Sequence, residues 1–139
     1  MIIDGKNLIL GRLATFAAKQ ALEGEPVIII NCENIILTGT KKSIMEKFKH
    51  KQGLGGPYKG PFFPKTPDRI VKRSIRGMLP YKQERGLKAF KRIKCFIGTP
   101  DSYKSQKLVE LPKASYQKLK TLNFITINDI SKEYNKGVA

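Results

Sequence analysis

Short runs of β-branched residues flank a longer stretch of helical periodicity at the start of the chain. The segments MIID and PVIIIN are typical of strands that are buried on both faces. Between them, GRLATFAAKQALEG places apolar residues at helical spacing and ends near Gly24, a common helix stop. Strand, helix and strand at this length form a βαβ unit, which requires parallel pairing and a right-handed crossover. The pattern predicts an α/β protein whose helices cover a sheet.

A second helix is predicted over KKSIMEKFKHK. Thr38 or Thr40 supplies its capping hydroxyl, and Ile44, Met45 and Phe48 recur at the spacing of an inward face.

A third helix is predicted to begin at Thr66, Pro67 and Asp68. These residues supply a capping hydroxyl, a proline for the first turn and an acid at the positive end of the helix dipole. We expect this helix to end at Leu79, because Pro80 cannot continue it.

A fourth helix is predicted from Gln83 to Arg92, with Leu87 and Phe90 facing inward. Gly86 weakens this helix by about 1 kcal/mol relative to alanine. The segment IKCFIG follows and is typical of a third strand.

The whole chain, residues 1–139, suits a single domain. Its 40% hydrophobic content is sufficient for one core, and no internal repeat or low-complexity segment is present. Near the end, Ile127, Ile130 and Tyr134 recur at helical spacing after Thr126, a candidate cap. We therefore expect a short helical C-terminal tail.

Charge changes this picture, because it is both large and unevenly distributed. The chain has 27 Lys and Arg against 11 Asp and Glu, a net charge of +16. Between Lys41 and Lys94 there are 17 basic and 3 acidic residues, so nearly all the excess lies in the middle. Such clustering favours a dedicated anion-binding region.

The third predicted helix separates cationic from apolar residues. At about 100° per residue, the cations share one sector and the apolar residues gather opposite. Like charges four residues apart on a helix repel one another, and a solvated helix usually mixes positive and negative side chains. An arrangement of cations alone is favourable when phosphates neutralise them. The cations are Arg69, Lys72, Arg73 and Arg76, and the apolar residues are Ile70, Val71, Ile75, Met78 and Leu79.

A loop at 50–67, HKQGLGGPYKGPFFPKTP, combines four glycines, four prolines and three aromatic residues without an acid. Such a segment lies on the surface, where Phe62 can stack on unpaired bases or wedge into an RNA groove. The alternative is that Phe62 and Phe63 anchor the loop to the core, and we expect at least one of them to do so. The anchored loop would then display Lys59 and Lys65.

Signals for catalysis are weak. A nuclease requires clustered carboxylates or histidines, but the basic region contains only Glu46, Asp68, Glu84 and His50, in positions typical of helix ends or surfaces. We interpret Cys32 and Cys95 as reduced core residues. No catalytic residue, metal ligand, cofactor or small-molecule substrate is predicted.

Targeting signals are equally weak. The start, MIIDGKNLILGR, has no basic region ahead of an apolar stretch, and no apolar run approaches the ~18 residues of a membrane span. We expect a cytoplasmic protein with no membrane partner.

Several motifs together resemble the universal large-subunit ribosomal protein thirteen family. They are GRLAT at 11–15, VIIINCENI followed by TG at 38–39, and above all RGMLP at 76–80. The segment GPFFPKTPDRIVKRSIRGMLPYKQERG is more similar to the archaeal and eukaryotic branch than to the bacterial one, and the chain looks archaeal in type. The resemblance implies a three-layer α/β/α fold around a parallel sheet of about four strands. It also implies a structural constituent of the large ribosomal subunit in the cytoplasm, partnered by rRNA and neighbouring large-subunit ribosomal proteins.

Within that resemblance, we expect rRNA contacts from the basic helices and the loop. Two alternatives stay open: a small nuclease or modification enzyme on a parallel sheet, and a regulator that binds one messenger RNA. The expected rRNA-binding residues are Lys41, Lys42, Lys47, Lys49, His50, Lys51, Lys59, Phe62, Lys65, Arg69, Lys72, Arg73, Arg76, Lys82, Arg85 and Lys88.

Overall fold

The computed structural model describes residues 1–55, 62–121 and 123–136. These residues form a mixed α/β structure with a small parallel sheet. In chain order, the strands and α-helices are β1 (Ile2–Asp4), α1 (Leu10–Leu22), β2 (Val27–Ile30), β3 (Ile36–Thr38), α2 (Lys41–Gln52), α3 (Pro67–Arg76), α4 (Glu84–Arg92), β4 (Ile93–Cys95), β5 (Phe124–Thr126) and α5 (Ile127–Lys136).

The predicted βαβ unit is present. Strands β1 and β2 pair in parallel with Ile2 opposite Ile28, and α1 connects them. Helix α1 turns a stripe of small residues inward, so that α3 and α4 can pack close to its axis. Gly24 ends this segment at a φ of +100°, a left-handed conformation that glycine adopts without steric cost.

The parallel sheet has three strands among the described residues, in the order β1, β2, β4. The expected number was about four. The chain near Val109 pairs with Ile3 in parallel, but only through one isolated bridge. Strands β3 and β5 form a separate antiparallel pair, which the sequence analysis did not predict.

Helix α3 begins as predicted, with Pro67 in the first turn after Thr66, but the Thr66 side chain makes no capping hydrogen bond. The helix ends at Arg76 instead of Leu79, because tighter i to i−3 hydrogen bonds replace the helical pattern after Gly77. This turn leaves Met78, predicted to be core, 45% exposed, while Leu79 stays buried.

Helix α4 has the predicted span but a different inward face. Its buried residues are Gly86 and Ala89, Phe90 is half-buried, and Leu87, predicted to face inward, is 46% exposed. A Cβ atom at Gly86 would lie 2.0 Å from the carbonyl oxygen of Pro80. Gly86 is therefore the point at which α4 approaches the preceding turn, so Leu87, the next residue along, is turned to solvent.

Helix α5 closes the core over α2 and α3. The residues predicted at helical spacing, Ile127, Ile130 and Tyr134, are all buried, and the Thr126 hydroxyl accepts a hydrogen bond from the Asp129 N–H at 3.3 Å. The Tyr134 hydroxyl donates to the Phe48 carbonyl oxygen at 3.1 Å. The C-terminal helix thus fixes the position of α2.

Helix α2 itself begins as predicted. The Thr40 hydroxyl accepts from the Ser43 N–H at 3.4 Å, and of the three expected inward residues Met45 is buried while Ile44 and Phe48 are half-buried. None of the helices in the described ranges is long and apolar enough to cross a membrane.

Candidate nucleic-acid interface

Three cations of α3 lie against aromatic rings. The ammonium of Lys72 is 4.9 Å from the centre of the Phe90 ring. The guanidinium of Arg76 is 4.7 Å from the Tyr81 ring, and that of Arg73 is 5.9 Å from the Phe63 ring. The electron-rich ring faces attract these cations and restrict their motion.

The two faces of α3 separate as the sequence pattern predicts. Ile70, Val71 and Ile75 are buried, whereas Arg69 is exposed and its neighbouring cations are half-buried. The half-burial comes from the aromatic rings beside the cations. The helix therefore presents held positive charges to its surroundings instead of freely moving ones.

The segment after the undescribed residues 56–61 is tied down at both ends. The Arg73 guanidinium donates to the Phe62 carbonyl oxygen at 3.2 Å, and the Ser131 hydroxyl of α5 donates to the Lys65 carbonyl oxygen at 2.7 Å. The prediction that at least one phenylalanine anchors this loop to the core stays a prediction: Phe63 is half-buried and lines a cleft between α2 and α3. Phe62 is 74% exposed and serves no packing role.

Two adjoining clefts combine these groups into one surface. The Phe62 cleft has a volume of about 340 Å³ and lies between the segment 62–64, α3 and α4. Its lining residues are Phe62, Phe63, Pro64, Arg69, Lys72, Arg73, Arg76 and Phe90.

The second, the Phe48 cleft, has a volume of about 190 Å³ and shares Phe63, Pro64 and Arg73 with the first. It adds Lys51 at the end of α2, whose ammonium lies 5.5 Å from the Phe48 ring. The end of α2, the segment 62–65, α3 and Phe90 therefore form one continuous surface, called the cationic aromatic face below. No acidic residue lines either cleft within the described part of the chain.

Other expected rRNA-binding residues lie outside the two clefts. Lys59 falls outside the described residues. The Lys88 ammonium pairs with the Glu84 carboxylate at 2.9 Å, and both groups are well exposed. Lys65 is half-buried and lines neither cleft, although its segment adjoins both. The remaining ones are exposed on α2 or near α4: Lys41, Lys42, Lys47, Lys49, His50, Lys82 and Arg85.

Two aromatic residues that lie beside the cations of α3 were not predicted to do so, and one basic residue has a structural role. Tyr81 was not selected, although an aromatic residue directly after RGMLP was the available signal. Phe90 was expected only to face inward, yet its ring also lines the Phe62 cleft. Arg92, a basic residue at the end of α4, donates to the Ala21 carbonyl oxygen at 3.0 Å and so links α4 to α1.

The two cysteines are free, as predicted. Cys32 is buried and Cys95 half-buried. The pKa of the Cys32 thiol is raised far above its ordinary value, mainly by a hydrogen bond with Cys95 and to a smaller extent by burial. The reactive thiolate is therefore absent at neutral pH. Within the described ranges, no three or more His, Cys, Asp or Glu side chains cluster as metal ligands would.

The fold and the site together define a small, strongly basic α/β protein with one cationic aromatic face. A family model for ribosomal protein L13 matches residues 1–102. The large ribosomal subunit protein uL13 of Methanococcoides burtonii is 40% identical over 95% of this chain and 95% of its own length. That of Methanopyrus kandleri is 42% identical over 95% of this chain and 84% of its own length, and that of Archaeoglobus fulgidus is 38% identical over 94% and 85%.

The chain therefore belongs to the ribosomal protein L13 family, and its matches with these archaeal proteins confirm the archaeal type. Members of this family are components of the cytoplasmic ribosome and not enzymes.

Proposed function

We propose that this chain is a structural constituent of the large ribosomal subunit that binds large-subunit rRNA through the cationic aromatic face. The observation that carries the proposal is the arrangement of Lys72, Arg73 and Arg76, each held against a ring in clefts that no described acid lines. Charges without acidic partners repel one another, and a polyphosphate backbone removes that repulsion.

The mechanism is charge neutralisation with recognition of shape. Lys and Arg contacts hold rRNA segments together that would otherwise repel, and they release counterions as they do so. The deep, narrow major groove of A-form RNA excludes side chains, so backbone, minor groove and unpaired bases are the accessible features. The exposed cations of α2 and α4 extend the contact beyond the two clefts.

The finer details of the fold belong to the same proposal. Buried residues from Ile3 in β1 to Tyr134 in α5 belong to one hydrophobic core, which supports a single domain over residues 1–139. We place a fourth strand of a three-layer α/β/α arrangement at Val109, where the bridge to Ile3 already has parallel direction. Neighbouring large-subunit ribosomal proteins complete the set of partners.

Binding of the purified protein to large-subunit rRNA fragments, with excess transfer RNA as competitor, tests the proposal. Measurement between about 50 and 200 mM salt separates specific from purely electrostatic binding. We expect saturable binding to one fragment that survives the competitor. If the transfer RNA displaces all of the protein from the rRNA fragments, the proposal is contradicted.

Two further experiments, one on the purified protein and one on cell extracts, separate the alternatives. RNA products accumulating beyond one equivalent per protein in Mg²⁺ would indicate an enzyme. Sedimentation of cell extracts would show a free messenger-RNA regulator at the top of the gradient, whereas a ribosomal constituent sediments with the large subunit.

A further inference from the structure

We propose that the Phe62 cleft is a pocket for one unpaired RNA nucleotide, with its base on the Phe62 ring and its phosphate on Arg69 and Arg76. This inference rests on the proposed function and adds the chemical class of group that the face takes. It begins from the exposure of Phe62, which is 74% open to solvent at the edge of the cleft. An exposed ring that packs against nothing offers a free π surface.

The cleft combines the two kinds of group that a nucleotide requires. A nucleotide has a flat aromatic base and an anionic phosphate, and the lining of the cleft supplies aromatic rings and four cations. Base stacking on an aromatic side chain works for every base, because each base has a π face. A cleft of about 340 Å³ lies near the lower limit for ligand pockets, a size that suits one nucleotide.

The cations divide into those already engaged and those available. Lys72 lies over the Phe90 ring, and Arg73 is bonded to the Phe62 carbonyl oxygen. The Arg76 guanidinium lies 4.7 Å from the centre of the Tyr81 ring, and it carries five N–H donors, more than one ring contact can occupy. Within the described residues, neither Arg76 nor the exposed Arg69 donates a side-chain hydrogen bond to the protein. These two guanidinium groups are suited to bind a phosphate.

The stacking platform is positioned before any ligand arrives. The hydrogen bond from Arg73 fixes the backbone of Phe62, and the neighbouring Phe63 is half-buried beside the second cleft. Little ordering of the chain is then required on binding, and this preserves affinity. The flanking Pro64 restricts the backbone further.

The test uses the full chain and three short RNA duplexes that have the same paired sequence and differ only at the bulge. One has a single bulged adenosine, the second has an abasic nucleotide at the bulge, and the third is fully paired. The first two have the same number of phosphates, so their difference in affinity measures the base alone. Because stacking of one base on an aromatic side chain is substantial, we expect the adenosine bulge to bind roughly 5- to 100-fold more tightly than the abasic one.

Two variants assign that preference to the ring. Phe62→Leu removes the π face and should bind both bulged duplexes with the affinity that the wild-type protein has for the abasic duplex. Phe62→Tyr keeps the ring and should retain the preference for adenosine. Since Phe62 is exposed, both variants should fold, and circular dichroism checks this.

Equal affinity of the wild-type protein for the adenosine and abasic bulges would overturn the pocket, as would a preference that survives in Phe62→Leu. Either result leaves the competitor-resistant binding to an rRNA fragment unaffected. Failure of this inference and failure of the proposed function are therefore distinguishable.

Discussion

Arg73 connects α3 to the segment that displays Phe62. Its guanidinium donates to the Phe62 carbonyl oxygen at 3.2 Å and lies 5.9 Å from the centre of the Phe63 ring. One side chain thus holds the backbone of the exposed phenylalanine and lies beside the ring of the half-buried one. This relationship makes Arg73 a positioning residue of the face in addition to a source of charge.

Arg73→Lys should weaken rRNA binding even though it keeps the charge, because an ammonium can neither stack flat nor keep the same fork of donors. We expect a loss of about 1 kcal/mol in binding free energy, measured by fluorescence titration with an rRNA fragment. The salt dependence should stay unchanged, since the number of charges is the same. Arg85→Lys is the matched control, because Arg85 is exposed and lines neither cleft. Equal binding by the two lysine variants would contradict this role of Arg73.

Gly86→Ala should destabilise the fold, although alanine is the better helix former. The added Cβ would lie 2.0 Å from the carbonyl oxygen and 2.2 Å from the carbonyl carbon of Pro80, and backbone atoms cannot rotate away. Overpacking of this kind costs about 1–3 kcal/mol, more than the ~1 kcal/mol gained from helix propensity. Urea denaturation followed by circular dichroism gives the difference.

The control for Gly86 is Gly11, which lies in the first turn of α1. A Cβ at Gly11 meets nothing within 4 Å, so Gly11→Ala should stabilise the protein by about 0.5–1 kcal/mol. Stabilisation by both substitutions would show that α4 does not approach Pro80 as described.

Tyr134 should make stability depend on pH in the alkaline range. Burial raises the pKa of its phenol from the ordinary 10.0 to about 12. The unfolded chain then loses this proton at a lower pH than the folded protein does. The contribution to stability is therefore complete below pH 10 and is lost as the pH rises towards 12, by about 1 kcal/mol for each unit of pKa difference.

Tyr134→Phe isolates this effect from the titration of the lysines, which both proteins share. At neutral pH the variant should be about 1 kcal/mol less stable, because the hydrogen bond to the Phe48 carbonyl oxygen is lost. The gap between the two proteins should close and then reverse as the pH rises from 10 to 12 in urea denaturation, because the loss in the wild-type protein exceeds the hydrogen-bond difference. Parallel stability curves over that range would contradict the pKa shift.

Local patterns in the sequence were sufficient for the parts of the fold that depend on neighbouring residues. Repeated β-branched residues predicted β1 and β2, and the spacing of Ile70, Val71 and Ile75 identified the buried side of α3. The caps at Thr40 and Thr126 followed from side chains that bond within three residues. Such features are encoded within a few residues of where they act.

Features that join distant segments were not predictable in the same way. The antiparallel pair of β3 and β5 joins residues almost ninety positions apart along the chain. Leu87 was expected to be buried because helical spacing does not show that Gly86, with no side chain, is the point of closest contact. The cationic residues of the site were visible in the sequence, but the pairing of Arg76 with Tyr81 and Lys72 with Phe90 depends on tertiary structure.

The most direct test of the account compares two variants that lose the same charge from different places. One replaces Arg69, Lys72 and Arg76 on the cationic aromatic face by glutamine, and the other replaces the exposed Lys107, Lys118 and Lys120. Affinity for an rRNA fragment is measured with transfer RNA as competitor, after circular dichroism has shown that both variants fold. We expect the face variant to bind roughly tenfold or more weakly than the control. Equal affinity of the two variants would show that net charge alone, and not this face, accounts for binding.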